Sequence, residues 1–253
     1  LYGNMSGTVQ QQGINMIVNH FLGVAINAAS GIATTVNVAV AGFAKNIIMA
    51  FRPQIIQNYA QGNIGAMSKL MTNASKYCLM LFLAMSLPLI AVMPYVLQLW
   101  LTEVPAKTVE ICRIVLLTNI PGLLNSIVVI GIHATGKIKR LSFISGSLFL
   151  LTLLPVYIVL YADGAVEEVY WCAFISMGGI FISDSIILKR NIPDFPLSLF
   201  LVETFGKTIP AVIAVVFILY LITQRCPSGF SQLMLSVTVS LIGFGTYTYY
   251  FAI

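Results

Sequence analysis

Apolar residues fill this chain in runs of about twenty, separated by short segments rich in Pro, Gly and charge. A bilayer core of about 30 Å needs about 20 residues of apolar α-helix, so each run predicts one transmembrane span. Six runs are clear, at 74–97, 109–132, 142–161, 168–188, 206–223 and 232–252. Two more polar runs precede them at 6–27 and 31–51, joined by a short turn at 27–31, which makes eight spans. The predicted fold class is all-α, a polytopic transmembrane helix bundle with a six-helix lobe plus two extra helices. The connection at 52–73 opens with Arg52-Pro53 and repeats Ile55, Ile56, Tyr59, Met67, Leu70 and Met71 at helical spacing. That pattern predicts a segment lying along the inner membrane surface. A second such stretch, 193–203, divides the six-helix lobe at 1–192 from the last two spans in 193–253.

Composition changes the solvent in which these helices are expected. The chain is 58% hydrophobic and only 8% charged, whereas soluble domains carry about 25% charged residues. A bundle in lipid can be apolar on its outside as well as inside. The net charge of +5 then marks cytoplasmic span ends rather than a nucleic-acid surface. With the first span starting in the cytoplasm, Lys45, Arg52, Lys69, Lys76, Lys137, Lys139, Arg140, Lys189, Arg190 and Lys207 fall inside. Only Lys107, Arg113 and Arg225 fall outside, and five of the eight acids, Glu103, Glu110, Asp163, Glu167 and Glu168, join them there. Shifting the count by one helix would spoil this alternation. No signal-peptide pattern opens the chain at Leu1, and the expectation is a fragment of a longer protein.

Candidate chemistry concentrates in the first two spans, because a polar side chain at membrane depth normally faces the bundle interior or a water-filled cavity. At 100° per residue, Thr8, Gln11, Gln12, Asn15 and Asn19 share one stripe, and Ser30, Thr34, Asn37 and Lys45 share another. Two readings stay open: a cavity wall for a polar, sugar-like substrate, or helix-to-helix contacts that contribute about 0.6 kcal/mol each. Lys45 and Arg113 are the cations expected nearest to membrane depth, facing either an anionic substrate or the interface by snorkelling. Asp184 is the one carboxylate near that depth, and its closeness to Lys189 and Arg190 suggests an interfacial ion pair. Asn119 with Pro121, and Pro155, interrupt the fourth and fifth spans as kinks or cavity-lining breaks.

Nothing in the pattern points to an enzyme. His20 and His133 lack metal-ligand or triad partners in suitable spacing, and His133 reads as a solvated interfacial residue. No glycine-rich phosphate loop occurs, and no metal or cofactor site is expected. Cys78, Cys112, Cys172 and Cys226 have no C-x-x-C spacing and read as apolar fillers. The topology puts the last three near one side of the membrane and leaves open a disulfide among them.

The segment Arg52-Pro53-Gln54-Ile55-Ile56-Gln57-Asn58-Tyr59-Ala60-Gln61-Gly62-Asn63, after a polar helix pair, resembles the multidrug/oligosaccharidyl-lipid/polysaccharide exporter superfamily. Ala134-Thr135-Gly136-Lys137-Ile138-Lys139 and the preceding Pro121-Gly122-x-x-Asn125 are similar to its polysaccharide transporter (oligosaccharide flippase) family. The resemblance covers essentially the whole chain in helix order. It implies the second six-helix lobe plus two further helices of a fourteen-helix transporter, with an N-terminal lobe missing. The implied activity is movement of undecaprenyl-diphosphate-linked oligosaccharide across a bacterial inner membrane for surface polysaccharide synthesis, by alternating access. The implied partners are that substrate, the bilayer and the missing lobe, with no nucleic acid. Substrate-pathway candidates are Gln11, Gln12, Asn15, Asn19, Thr34, Asn37, Lys45 and Arg113. Lys45 and, less well placed, Arg113 would hold the diphosphate. The competing expectation is an ion-coupled multidrug or metabolite antiporter of the same superfamily, which would want an aromatic pocket and a buried carboxylate, and no deeply buried acid is expected in this chain.

Overall fold

The computed structural model describes residues 2–225 and 229–249. Among these the chain forms helices joined by short turns: α1 (Tyr2–Ala60), α2 (Ile64–Ala91), α3 (Met93–Trp100), α4 (Thr108–Ala134), α5 (Ile138–Leu151), α6 (Leu153–Tyr161), α7 (Val166–Asn191), α8 (Leu197–Arg225) and α9 (Phe230–Tyr247). Among the described residues seven helices are long and apolar enough to cross a bilayer, α5 and α6 together making one of them.

The first of the seven is broken. Gly23 has φ 82° and ψ 178°, outside any helical region, and a left-handed φ of this kind is accessible to glycine without steric cost. The two legs, residues 2–22 and 24–60, run in opposite directions, as their neighbours establish. Tyr2 stacks on Phe143, Gly13 packs against Leu153, and Val18 clusters with Val156 and Leu160, so the first leg runs parallel to α5 and α6. Asn37 bonds to Asn119, and Arg52 shares a cavity with His133, so the second leg runs parallel to α4. α4 and α7 are mutually parallel, tied by Lys107 to Glu167 at their starts and by Gly131 against Leu188 near their ends. α5 runs antiparallel to α7, since Ser145 meets Asp184 and the Asn191 side chain at the end of α7 reaches the Lys137 carbonyl before α5. Seven helices therefore give eight legs, the number the apolar runs predict.

The break lies at Gly23, not at the expected turn over 27–31, where α1 is continuous helix. The predicted surface segment at 52–73 is also corrected. Its first part, with Pro53, prolongs α1 to Ala60, and its second part is the start of α2. The second leg of α1 is thereby about 55 Å long at 1.5 Å per residue, well beyond a bilayer core. The reversal between α1 and α2 uses Gly62 at φ 74° and the Asn63 side chain, which accepts from the Ala66 amide at 3.0 Å. The predicted surface stretch at 193–203 likewise becomes a short link and the first turns of α8. The fifth span divides at Thr152, three residues before Pro155, whose missing N–H leaves the Leu151 carbonyl without its helical donor. Pro121, by contrast, sits inside a continuous α4.

The two ends of the bundle differ in charge as expected. One end gathers the starts of α4 and α7 with Lys107, Glu110, Glu167 and Glu168; the other gathers Arg52, Lys137, Lys139, Arg140, Lys189 and Arg190. α1, α4, α5 and α7 pack around one another, while α8 and α9 pack chiefly against α2. Cys112 and Cys172 are free thiols, and Cys226 lies outside the described residues.

Candidate functional site

The second leg of α1 supplies Asn37 and Lys45 to a cavity of about 520 Å³; α4 adds Thr118, Asn119 and Ser126, α5 adds Phe149, and α7 adds Tyr170 and Met177. Adjoining it toward the basic end is a cavity of about 510 Å³ lined by Arg52, Asn125, Ser126 and His133 among others. Lys45, Gly122, Ser126, Phe149 and Met177 line both, so the two form one groove with Lys45 at the join. The α4 residues share a face because 118, 122 and 126 recur every four positions, and 133 follows seven later.

The groove is polar above and cationic below. Asn119 donates from Nδ2 to Asn37 Oδ1 and to the Val115 carbonyl, the latter at 3.1 Å. This fixes both amides while the Asn37 amino group and Asn119 Oδ1 keep hydrogen-bonding capacity. Tyr170 donates its hydroxyl proton to Ser30 at 2.5 Å, and Ser30 in turn donates to the Ile26 carbonyl at 3.0 Å. Neither cavity is lined by an acid, and Lys45 and Arg52 are exposed and make no ion pair among the described residues. A wall of amides and hydroxyls ending in two cations suits a ligand with many hydroxyls and one anionic end.

Of the predicted pathway residues, Gln11, Asn37 and Lys45 line the groove. Gln12 and Asn19 are exposed and Asn15 half-buried, and none of these three lines either cavity. Thr34 lies off the groove and donates to the Ser30 carbonyl within its own helix at 2.9 Å. Arg113 lines neither cavity, and its Nε–H donates to the Ile90 carbonyl at 3.0 Å. The residue four positions on from Ile90 is Pro94, which has no N–H to offer that carbonyl. Arg113 thus closes the break between α2 and α3.

Asp184 also departs from expectation. It is 0% exposed and makes no ion pair with Lys189 or Arg190; Lys189 instead donates to the carbonyls of Pro193 and Phe195 at 2.7 and 2.8 Å. The Ser145 hydroxyl donates to Asp184 Oδ1 at 2.5 Å, and the Asn125 side chain lies next to it. By hydrogen-bond geometry Asp184 Oδ2, Asn125 Oδ1 and Ser185 Oγ are buried and unpaired among the described residues, although the Asn125 side chain is close enough to interact with the carboxylate. Asn125 also lines the lower cavity, so a buried carboxylate sits one side chain away from the groove.

Asn119 was read as a kink or cavity-lining break and lines the groove; Thr118, Asn125, Ser126, Tyr170, Arg52 and His133 are site residues that the sequence reading did not gather. The same 100° test that found the α1 stripes would have found the α4 face. Tyr170 carried no such signal, because its role depends on packing against Ser30.

No family model, curated protein or solved structure matches this chain. The fold and groove by themselves define the class, an all-α, multi-pass helical membrane protein.

Proposed function

We propose that this chain is part of a transporter that moves an undecaprenyl-diphosphate-linked oligosaccharide from the inner to the outer leaflet of a bacterial inner membrane. The observation that carries this reading is the groove itself, whose amides and hydroxyls end at Lys45 and Arg52. Amides exchange donors and acceptors with sugar hydroxyls, and the two cations receive the diphosphate. Alternating access works against a second lobe that covers the open side of the groove, where Gln11 stands exposed. The test is deletion of the gene in its host, with the lipid-linked oligosaccharide pool and the surface polysaccharide both measured. Accumulated lipid-linked sugar with a depleted surface is the expected result, restored by the native gene and not by Lys45→Ala. An unchanged pool and surface would overturn the reading.

A second reading, an ion-coupled antiporter for drugs or metabolites, is favoured by one observation, the buried Asp184. Buried acids in transporters commonly bind and release the coupling ion. Under this reading Asp184→Asn abolishes efflux driven by an ion gradient; if efflux survives the substitution, Asp184 is a structural group.

A further inference from the structure

A third polar cavity lies away from the groove, between the first half of α2 and the start of α8, with a volume of about 590 Å³. Lys69, Lys76 and Lys207 line it, with Ser68, Thr72 and Asn73 as hydroxyl and amide neighbours and Glu203 as the single acid. Lys76 is only 3% exposed, its charged neighbours are Lys207, Glu203 and Lys69, and no carboxylate among the described residues comes within 4.0 Å of it. Burying an ammonium is costly unless an anion compensates it, and three lysines against one glutamate leave the cavity short of negative charge.

The adjoining space has the opposite character. A groove of about 590 Å³ between α2 and α9 is lined by Met80, Leu81, Ala84, Leu241 and Phe244 among others. Tyr77 lines both it and the lysine cavity. The slot therefore passes from cations to hydrocarbon along α2, over about 12 Å from Lys76 to Ala84. A free phosphate ion would use only the first part. An amphiphile with an anionic head and an acyl chain uses both.

We propose that this slot binds an anionic phospholipid of the surrounding bilayer, its phosphate among Lys69, Lys76 and Lys207 and one acyl chain in the α2–α9 groove. Basic pockets between helices at the membrane face are a recognised form of lipid site. Ser68, Thr72 and Asn73 add donors for a hydroxylated headgroup such as glycerol. α2 lines neither half of the amide groove, so the lipid is a resident partner and not the transported substrate.

The test is native mass spectrometry of the purified chain in detergent, titrated with phosphatidylglycerol, phosphatidylcholine or inorganic phosphate. The native chain is expected to retain phosphatidylglycerol at least about tenfold more tightly than phosphatidylcholine, and each lysine removed to cost about fivefold. Lys69→Gln with Lys207→Gln tests the head site with two positions that are less buried than Lys76, and helical content by circular dichroism verifies folding. Leu241→Trp, at an exposed position on the groove wall, is expected to weaken retention by blocking the chain. Equal retention of both lipids, no loss in the lysine variant, or full displacement by millimolar inorganic phosphate would each overturn the proposal. No effect of Leu241→Trp would overturn the placement of the acyl chain.

Discussion

Lys45 and Lys76 both place an ammonium group within a bundle of largely apolar helices, yet their surroundings are opposite. Lys45 is exposed at the join of a groove lined by amides, with no acid in its walls, whereas Lys76 is 3% exposed among other lysines and Glu203. An exposed cation keeps its water until a ligand displaces it and so costs little when the site is empty. A cation of low exposure beside other lysines gives up part of its hydration and gains from a resident counter-charge. The first arrangement suits a site that must bind and release, the second a site that stays filled.

Gly131 packs α4 against both α2 and α7. A Cβ there would stand 2.8 Å from Met71 Cε and 3.0 Å from Leu188 Cδ1, so a large side chain must displace both. Gly131→Leu is expected to have the largest effect, lowering stability by about 1–3 kcal/mol and disturbing both lipid retention and transport. Denaturant titration together with both assays checks it; loss of one property alone would show that the regions are uncoupled. Lys45→Ala comes next, with transport falling about tenfold or more at unchanged protein level, equivalent to about 1.4 kcal/mol. The Lys69→Gln and Lys207→Gln double variant is expected to leave transport within about twofold. Equal losses in both variants would dissolve the contrast between the cavities.

Asn119→Leu removes the amide partner of Asn37 and is expected to cost about 0.6–1 kcal/mol with a several-fold loss of transport. The smallest effect is expected at Lys107, whose ammonium donates to Glu167 at 2.7 Å on the acidic end. The Glu167 carboxylate holds Lys107 above its ordinary value of 10.5. A raised value in the folded state means that, while Glu167 is ionised, the Lys107 contribution is fully present below pH 10.5 and lost as pH rises through the raised value. Lys107→Ala should therefore leave transport unchanged and remove only a small alkaline step from the stability profile, since exposed pairs contribute little.

The bundle was legible wherever hydropathy and charge alternate over whole spans, and the eight legs and the basic end follow from that. The bend at Gly23 was not legible, because a glycine in an apolar run gives no hydropathy signal and only its positive φ breaks the helix. Asn27 drew attention as a turn former, yet it is half-buried within continuous helix. Arg52-Pro53 was taken to end a helix, but the chain continues through that proline for almost two more turns. Of the candidate site, Gln11, Asn37 and Lys45 were legible by stripe. The Arg113 bond to the Ile90 carbonyl was not legible, because that carbonyl is orphaned by Pro94, a backbone matter that side-chain polarity does not report. Asp184 stands five and six positions before Lys189 and Arg190, whereas helical neighbours are three or four apart. The spacing already turned the carboxylate away from both.

The central claim is that the groove between α1, α4 and α7 is a water-filled path that meets its ligand at Lys45. The most direct measurement replaces the four native cysteines, places single cysteines at Asn37 and Ser126, and treats the membrane-embedded protein with a small water-soluble thiol reagent. Labelling at both positions, protection by added lipid-linked oligosaccharide, and no labelling at buried Leu83 are the predicted results. If neither groove cysteine reacts while one at exposed Gln61 does, the amides are packing contacts and the account is contradicted.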